Sequence, residues 1–217
     1  MKKAVSAVMV ILALTFLGAI PPTADSPEAW KGLTAEQIKK VKQGEIVILT
    51  KQKGGEEERF IKAAMIINQP IDVVWNLLCQ TWRQEEYLPG LISSPLIEKH
   101  KDWNIVEFNV KVLFIKINYR VKHYIDSEHY YLHWNLDPSY HNDLKHLEGY
   151  YWLYKIDDKH TLIRYGTVVV VSELIPRSIQ DALTKRDLPK NLQAVKKWLD
   201  SAGTYKKPDY QKLKKAS

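Results

Sequence analysis

His123 is the one titratable side chain that strand alternation sets on an apolar face. Tyr119 precedes it on that face, and Trp134 falls on the apolar face of the next segment. Together they offer an imidazole, a phenol and an indole N–H. An imidazole titrates near neutrality, so it can orient a ligand or exchange a proton with one. The plainer reading is an inner-wall histidine packed among apolar neighbours. The other reactive side chains form no recognisable centre. His129, His133, His141 and His146 fall within 18 residues. Two of them at i, i+4 in a strand stand about 13 Å apart, too far to share one metal. Cys79 is the single cysteine, which excludes an intramolecular disulfide and a cysteine-based zinc site. It continues an apolar helix and reads as a small buried residue. Ser, His and Asp are scattered without a nucleophile elbow. Glu56-Glu57-Glu58 reads as a solvated turn, and Glu85-Glu86 as helix surface beside Tyr87. No glycine-rich phosphate loop is present.

Strands must position His123 and its neighbours. Val106, Phe108, Val110, Val112 and Phe114 alternate with Glu107, Asn109 and Lys111. Ile117, Tyr119, Val121, His123 and Ile125 alternate with Asn118, Arg120 and Lys122. Tyr130, Leu132, Trp134 and Leu136 repeat the pattern. Leu147–Ile156 and Leu162–Val171 are two last strands, joined through Asp157-Asp158-Lys159-His160. Short turns at regular spacing predict an antiparallel meander. On the fourth segment Tyr150, Trp152 and Tyr154 oppose Tyr151, an aromatic stripe open to a partner or membrane if that face is wet. A slip of one residue would exchange the two sets.

Upstream, Thr34 and Gln37 form a capping box that opens a short helix to about Gln43. Glu45–Thr50 and Arg59–Asn68 read as a hairpin around Lys53-Gly54-Gly55-Glu56. After Pro70, Ile71, Val74, Trp75 and Leu78 have helical spacing over Ile71–Cys79. A shorter helix over Thr81–Tyr87 is stopped by Pro89-Gly90. A helical end follows Pro176, with Ile179 and Leu183 and then Leu192, Val195 and Leu199 in helical spacing. Pro189 is expected to kink or split it.

The chain has 217 residues, 45% hydrophobic and 26% charged, with a net charge of +7. Seven Trp and twelve Tyr stand against four Phe, so the aromatic content is mostly amphipathic. Lys2-Lys3, the apolar run Val8–Leu17 and Pro21-Pro22-Thr23-Ala24 read as a secretory signal cut after Ala24. An uncleaved anchor is the rival, weakened by Gly18 and Pro21-Pro22. Cutting there removes two lysines and leaves 193 residues at +5. A periplasmic or secreted protein meets little ATP or nicotinamide, and no cofactor is expected. The basic residues are spread among acids, which argues against nucleic acid. The tail lysines, Lys206-Lys207, Lys212 and Lys214-Lys215, offer peripheral contact to anionic lipid or are simply solvated.

Several segments carry a family resemblance. Ile67-Asn68-Gln69-Pro70-Ile71-Asp72-Val73-Val74-Trp75 is a strand running into a Val-Trp helix. Tyr87-Leu88-Pro89-Gly90-Leu91 and Ile97-Glu98 follow. Gly149-Tyr150-Tyr151-Trp152-Leu153 leads to Thr161-Leu162-Ile163-Arg164-Tyr165, and Ile175-Pro176 opens the last helix. In these the chain resembles the START-like, or SRPBCC, superfamily of polyketide cyclase-like and lipid-transfer proteins, over roughly residues 60–200. The resemblance implies an α+β helix-grip fold, a curved antiparallel β-sheet wrapped around a long C-terminal α-helix with a hydrophobic cavity between them. The implied organisation is a signal over 1–24, an N-terminal extension over 25–58, the helix-grip domain over 59–203 and a basic flexible tail over 204–217. Phe108, Val110, Tyr119, Val121, His123 and Trp134 would line the cavity by alternation. The family pattern adds Tyr151, Leu153, Ile163, Tyr165 and Thr167, with Ile179 and Leu183 closing it from the helix.

Such a cavity binds without a polar motif. A chain of a dozen carbons gains on the order of 10 kcal/mol on leaving water. The expected role is therefore binding, or carriage, of a hydrophobic small molecule or lipid by a monomer. The alternative is a cyclase/dehydrase-type enzyme whose cavity Tyr and His do acid/base work.

Overall fold

A computed structural model of the protein describes residues 20–52, 59–171 and 187–212. Two short helices lead, α1 (Pro27–Trp30) and α2 (Ala35–Lys42). The capping box at α2 forms: Thr34 Oγ1 accepts from Gln37 N at 3.3 Å, and Gln37 Oε1 accepts from Thr34 N at 2.9 Å. β1 (Val47–Gln52) and β2 (Arg59–Ile67) follow, then α3 (Ile71–Leu78) and a 3-10 helix over Thr81–Glu86. Pro70 stands just before α3, where its missing N–H costs nothing.

Two short strands that the sequence pattern does not announce come next, β3 (Leu91–Ser93) and β4 (Leu96–Lys99). The expected meander is β5 (Trp103–Val112), β6 (Ile115–Asp126), β7 (Tyr131–Leu136), β8 (Leu144–Lys155) and β9 (Thr161–Val171). α4 (Leu188–Asp200) follows, and the described chain runs on to residue 212. Pro189 lies in the first turn of α4, just after the π-helical Asp187, and the helical segment expected before it lies outside the described residues. Ile179 and Leu183 lie outside the described residues.

The sheet runs β1-β2-β9-β8-β7-β6-β5-β3, with β4 also on β5, nine strands among the described residues. The first hairpin thus lies beside the last strand. Every pairing between these strands is antiparallel, and the register preserves the alternation except at β3, β4 and the start of β8, where it shifts. Phe108 faces Tyr119, His123 faces Trp134, Leu132 faces Tyr151, and Tyr151 faces Tyr165. One face is therefore continuous from β2 to β5. That face packs on α3 and α4: Met65, Leu132, Leu153 and Ile163 meet Trp75, Leu192, Val195, Trp198 and Leu199. Each such apolar side chain contributes roughly 1.5–3 kcal/mol on burial.

The opposite face is covered at one end. Ala29 and Val41 pack with Ala64, Tyr154 and Leu162. Arg164 crosses that layer, donating to the carbonyls of Ala29 at 2.7 Å and Lys31 at 2.9 Å. The expected wet stripe is corrected accordingly. Tyr154 is buried beneath the N-terminal helices, while Tyr150 and Trp152 stay half-buried in a chain of rings with Tyr131.

The tail expected to be flexible from 204 is packed at its start. Lys207 is 4% exposed and its Nζ donates to the carbonyls of Leu88 and Leu91, while Lys206 pairs with Glu86. Buried carbonyls in an irregular turn need donors, and the lysine supplies them. At the other end, Ala24 N donates to Lys155 O, and Lys155 N to Pro22 O. No helix among the described residues is long and apolar enough to cross a membrane.

Candidate functional site

The inner face of β5–β9 carries the sequence-predicted set. Phe108, Val121, His123, Leu153, Ile163 and Thr167 are buried, and Val110, Tyr119, Trp134, Tyr151 and Tyr165 are half-buried. The rings form one chain. Phe108 stacks on Tyr119 at 5.4 Å between centroids and meets His123 at 6.1 Å. His123 lies 6.3 Å from Trp134, Trp134 lies 5.2 Å from Tyr151, and Tyr151 lies 5.2 Å from Tyr165.

One glycine makes that chain fit. A Cβ on Gly149 would stand 2.4 Å from Trp134 Cζ2 and 2.7 Å from the Gly166 carbonyl. The indole therefore lies across bare backbone, which only glycine permits.

Burial sets the chemistry of the wall. It pushes the hydroxyl of Tyr165 up to about 12, and those of Tyr119 and Tyr151 higher still. It pushes His123 down to about 3, so the imidazole is neutral at ordinary pH. His123 is 3% exposed, and its Nδ1 has no hydrogen-bond partner among the described residues. An unpaired polar atom in such a place costs free energy unless something meets it.

Tyr119, Trp134, Tyr151 and Tyr165 combine two properties. The three phenols are enclosed enough for desolvation to dominate their titration, and all four residues are only half-buried. The inner wall is an apolar, ring-lined surface with an unmatched nitrogen at its centre. Along its ring-lined middle, from Phe108 and Tyr119 through Trp134 to Tyr151 and Tyr165, the wall carries no formal charge at neutral pH; Lys155 and Arg59 share the face only at strand ends.

The acid/base alternative needs a titratable pair in contact within this wall. His123 Nδ1 meets no such partner among the described residues. Beside Tyr165, the Thr167 hydroxyl donates to the Glu148 carbonyl. Elsewhere, no group of three His, Cys, Asp or Glu could hold a metal among the described residues. Glu86 bridges Arg83 and Lys206 on the 3-10 helix, and Cys79 is raised to about 12 by burial. Sequence reasoning missed the partner of Asp72, which accepts from Tyr130 at 2.6 Å beside Trp75. It also missed the Thr81–Asn104 bond of 2.7 Å at the wall's edge. Neither pair has a local sequence signal.

No protein-family profile and no curated protein matches the chain. Solved structures do match. The Zhui aromatase/cyclase from Streptomyces sp. R1128 superposes with a TM-score of 0.57 at 16% identity, over 67% of this chain and 94% of that one. A STAR-related lipid transfer protein from Xanthomonas axonopodis gives 0.58 at 12% identity, over 71% and 93%. A START superfamily protein from Mycobacterium smegmatis gives 0.55 at 10% identity, over 65% and 97%. Likeness at these identities shows a shared fold and nothing finer.

Proposed function

We propose that this chain, a START-like helix-grip protein by fold, binds a hydrophobic small molecule between the inner face of its sheet and its C-terminal helix. The observation that carries the reading is the ring chain from Phe108 to Tyr165, in which Tyr119, Trp134, Tyr151 and Tyr165 are only half-buried. Apolar burial supplies the affinity, and the hydroxyls of Tyr119, Tyr151 and Tyr165 supply orientation. The uncharged, ring-lined middle of the wall disfavours a bare carboxylate or ammonium there, because desolvating an unpaired charge is costly. The ligand is therefore neutral where it meets the wall.

Native mass spectrometry of gently purified protein tests this. A mass excess that denaturation releases as an apolar compound is the expected result. Protein that is unliganded as isolated, and that also fails to take up the neutral fluorophore N-phenylnaphthylamine, overturns it.

We further propose that the segment up to Ala24 exports the protein to the periplasm or medium. A cut after Ala24 would forfeit the bonds of Pro22 and Ala24 to Lys155. N-terminal sequencing of protein recovered from the host envelope reads the cut directly.

A further inference from the structure

The β5–β6 hairpin breaks three local rules at its tip. Val112 pairs with Ile115, so Leu113 and Phe114 form a two-residue turn. Such turns favour Asn or Gly because they need positive φ. Leu113 occupies the turn at φ 55. A leucine there is strained. Phe114 is 80% exposed and Leu113 48%. Lys111 and Lys116 then face each other directly across the two strands, both exposed. Like charges opposite one another are unfavourable. Local breaches of this kind gather where a protein has a use for them.

We propose that this tip docks the protein on an anionic lipid surface, with Leu113 and Phe114 entering the acyl boundary and Lys111 and Lys116 meeting the headgroups. A bilayer interface answers the latter two breaches together. It removes the two apolar side chains from water, and it supplies negative charge to both lysines at once. The strained turn is what projects Leu113 and Phe114 away from the sheet. The geometry also orients the molecule. Lys111 N donates to the Gly90 carbonyl at 2.7 Å, and Val110 pairs with Leu91. The Pro89-Gly90 turn and neighbouring Leu88, which packs on both inner clusters, therefore sit at the docked end. Docking stands on the tip alone and holds whether or not the inner wall carries a ligand.

Co-sedimentation of the purified protein with phosphatidylcholine vesicles, with and without phosphatidylglycerol, tests the proposal. Binding is expected to the anionic vesicles and to weaken with added salt. Phe114→Ser should lower the partition coefficient by about tenfold, the equivalent of part of a phenylalanine burial. Lys111→Ser and Lys116→Ser should each lower it about fivefold on anionic vesicles and leave neutral ones unaffected. Leu113→Gly relieves the turn, so it should keep or raise Tm while weakening binding. A merely structural tip would not show that combination. Ligand content measured by mass spectrometry should not change in Phe114→Ser, which separates this test from that of the inner wall. The proposal is overturned if wild-type protein stays in the supernatant, or if Phe114→Ser binds like wild type. It is equally overturned if Phe114→Ser converts a dimer to a monomer without altering vesicle binding, which would make a second copy the occupant.

Discussion

His123 makes the dryness of the inner wall measurable through pH. The folded protein holds the imidazole neutral, with its pKa down at about 3 from the usual 6.5, because burial disfavours the charged form. The unfolded chain takes up a proton below its ordinary value. Between those two values the unfolded state binds more protons, so stability is full above the unfolded pKa and falls as pH drops. Each pH unit costs about 1.4 kcal/mol, so the loss reaches about 2 kcal/mol at about pH 5. In Tm that is roughly 4–8 °C for a chain of this size. Other histidines titrate too, so the comparison must be with a variant. His123→Leu removes a buried Nδ1 that has no partner among the described residues, and it should match wild type within about 1 kcal/mol at about pH 7.5. Urea unfolding of both proteins across that range should show wild type losing about 2 kcal/mol more than His123→Leu toward about pH 5. Parallel curves would refute the reasoning, since they would mean that water or a permanent partner already reaches Nδ1.

Gly149→Ala should destabilise by about 1–3 kcal/mol, because the new methyl meets Trp134 and the Gly166 backbone carbonyl within 2.7 Å. Gly166→Ala meets the half-buried Tyr150 ring first, at 2.4 Å, and that ring can swing outward, so thermal unfolding should rank it milder. Lys207→Met strips the donor from the Leu88 and Leu91 carbonyls and should cost about 1–3 kcal/mol, with faster tryptic cleavage near Lys206 as the local readout. Cys79, raised to about 12, should resist iodoacetamide near neutral pH and react at the rate of a free thiol only in denaturant.

Much of this molecule was legible because alternation is local information. In β5, β6 and β7, apolar and polar side chains take turns, and the paired register keeps each set on one face. That pattern put Phe108, Tyr119, His123 and Trp134 on one wall. The family pattern added Tyr151 and Tyr165 on the strands beside them. The capping box at Thr34 and the start of α3 after Pro70 were equally local. The four-residue helix α1 and the strands β3 and β4 were not, being too short to express a period.

What the tertiary structure alone decided concerns partners distant in sequence. Lys207 reads as a solvated tail lysine until the Leu88–Leu91 segment, 116 residues away from it at Leu91, offers its carbonyls. Tyr154 reads as exposed until Ala29 and Val41 cover it. Phe114 read as the end of an apolar strand face, but the register ends at Val112–Ile115 and leaves it on a turn. Side-chain period declares which residues share a face; only the packed chain declares what covers that face, and the unmatched His123 nitrogen and the bare Phe114 ring are consequences of the second.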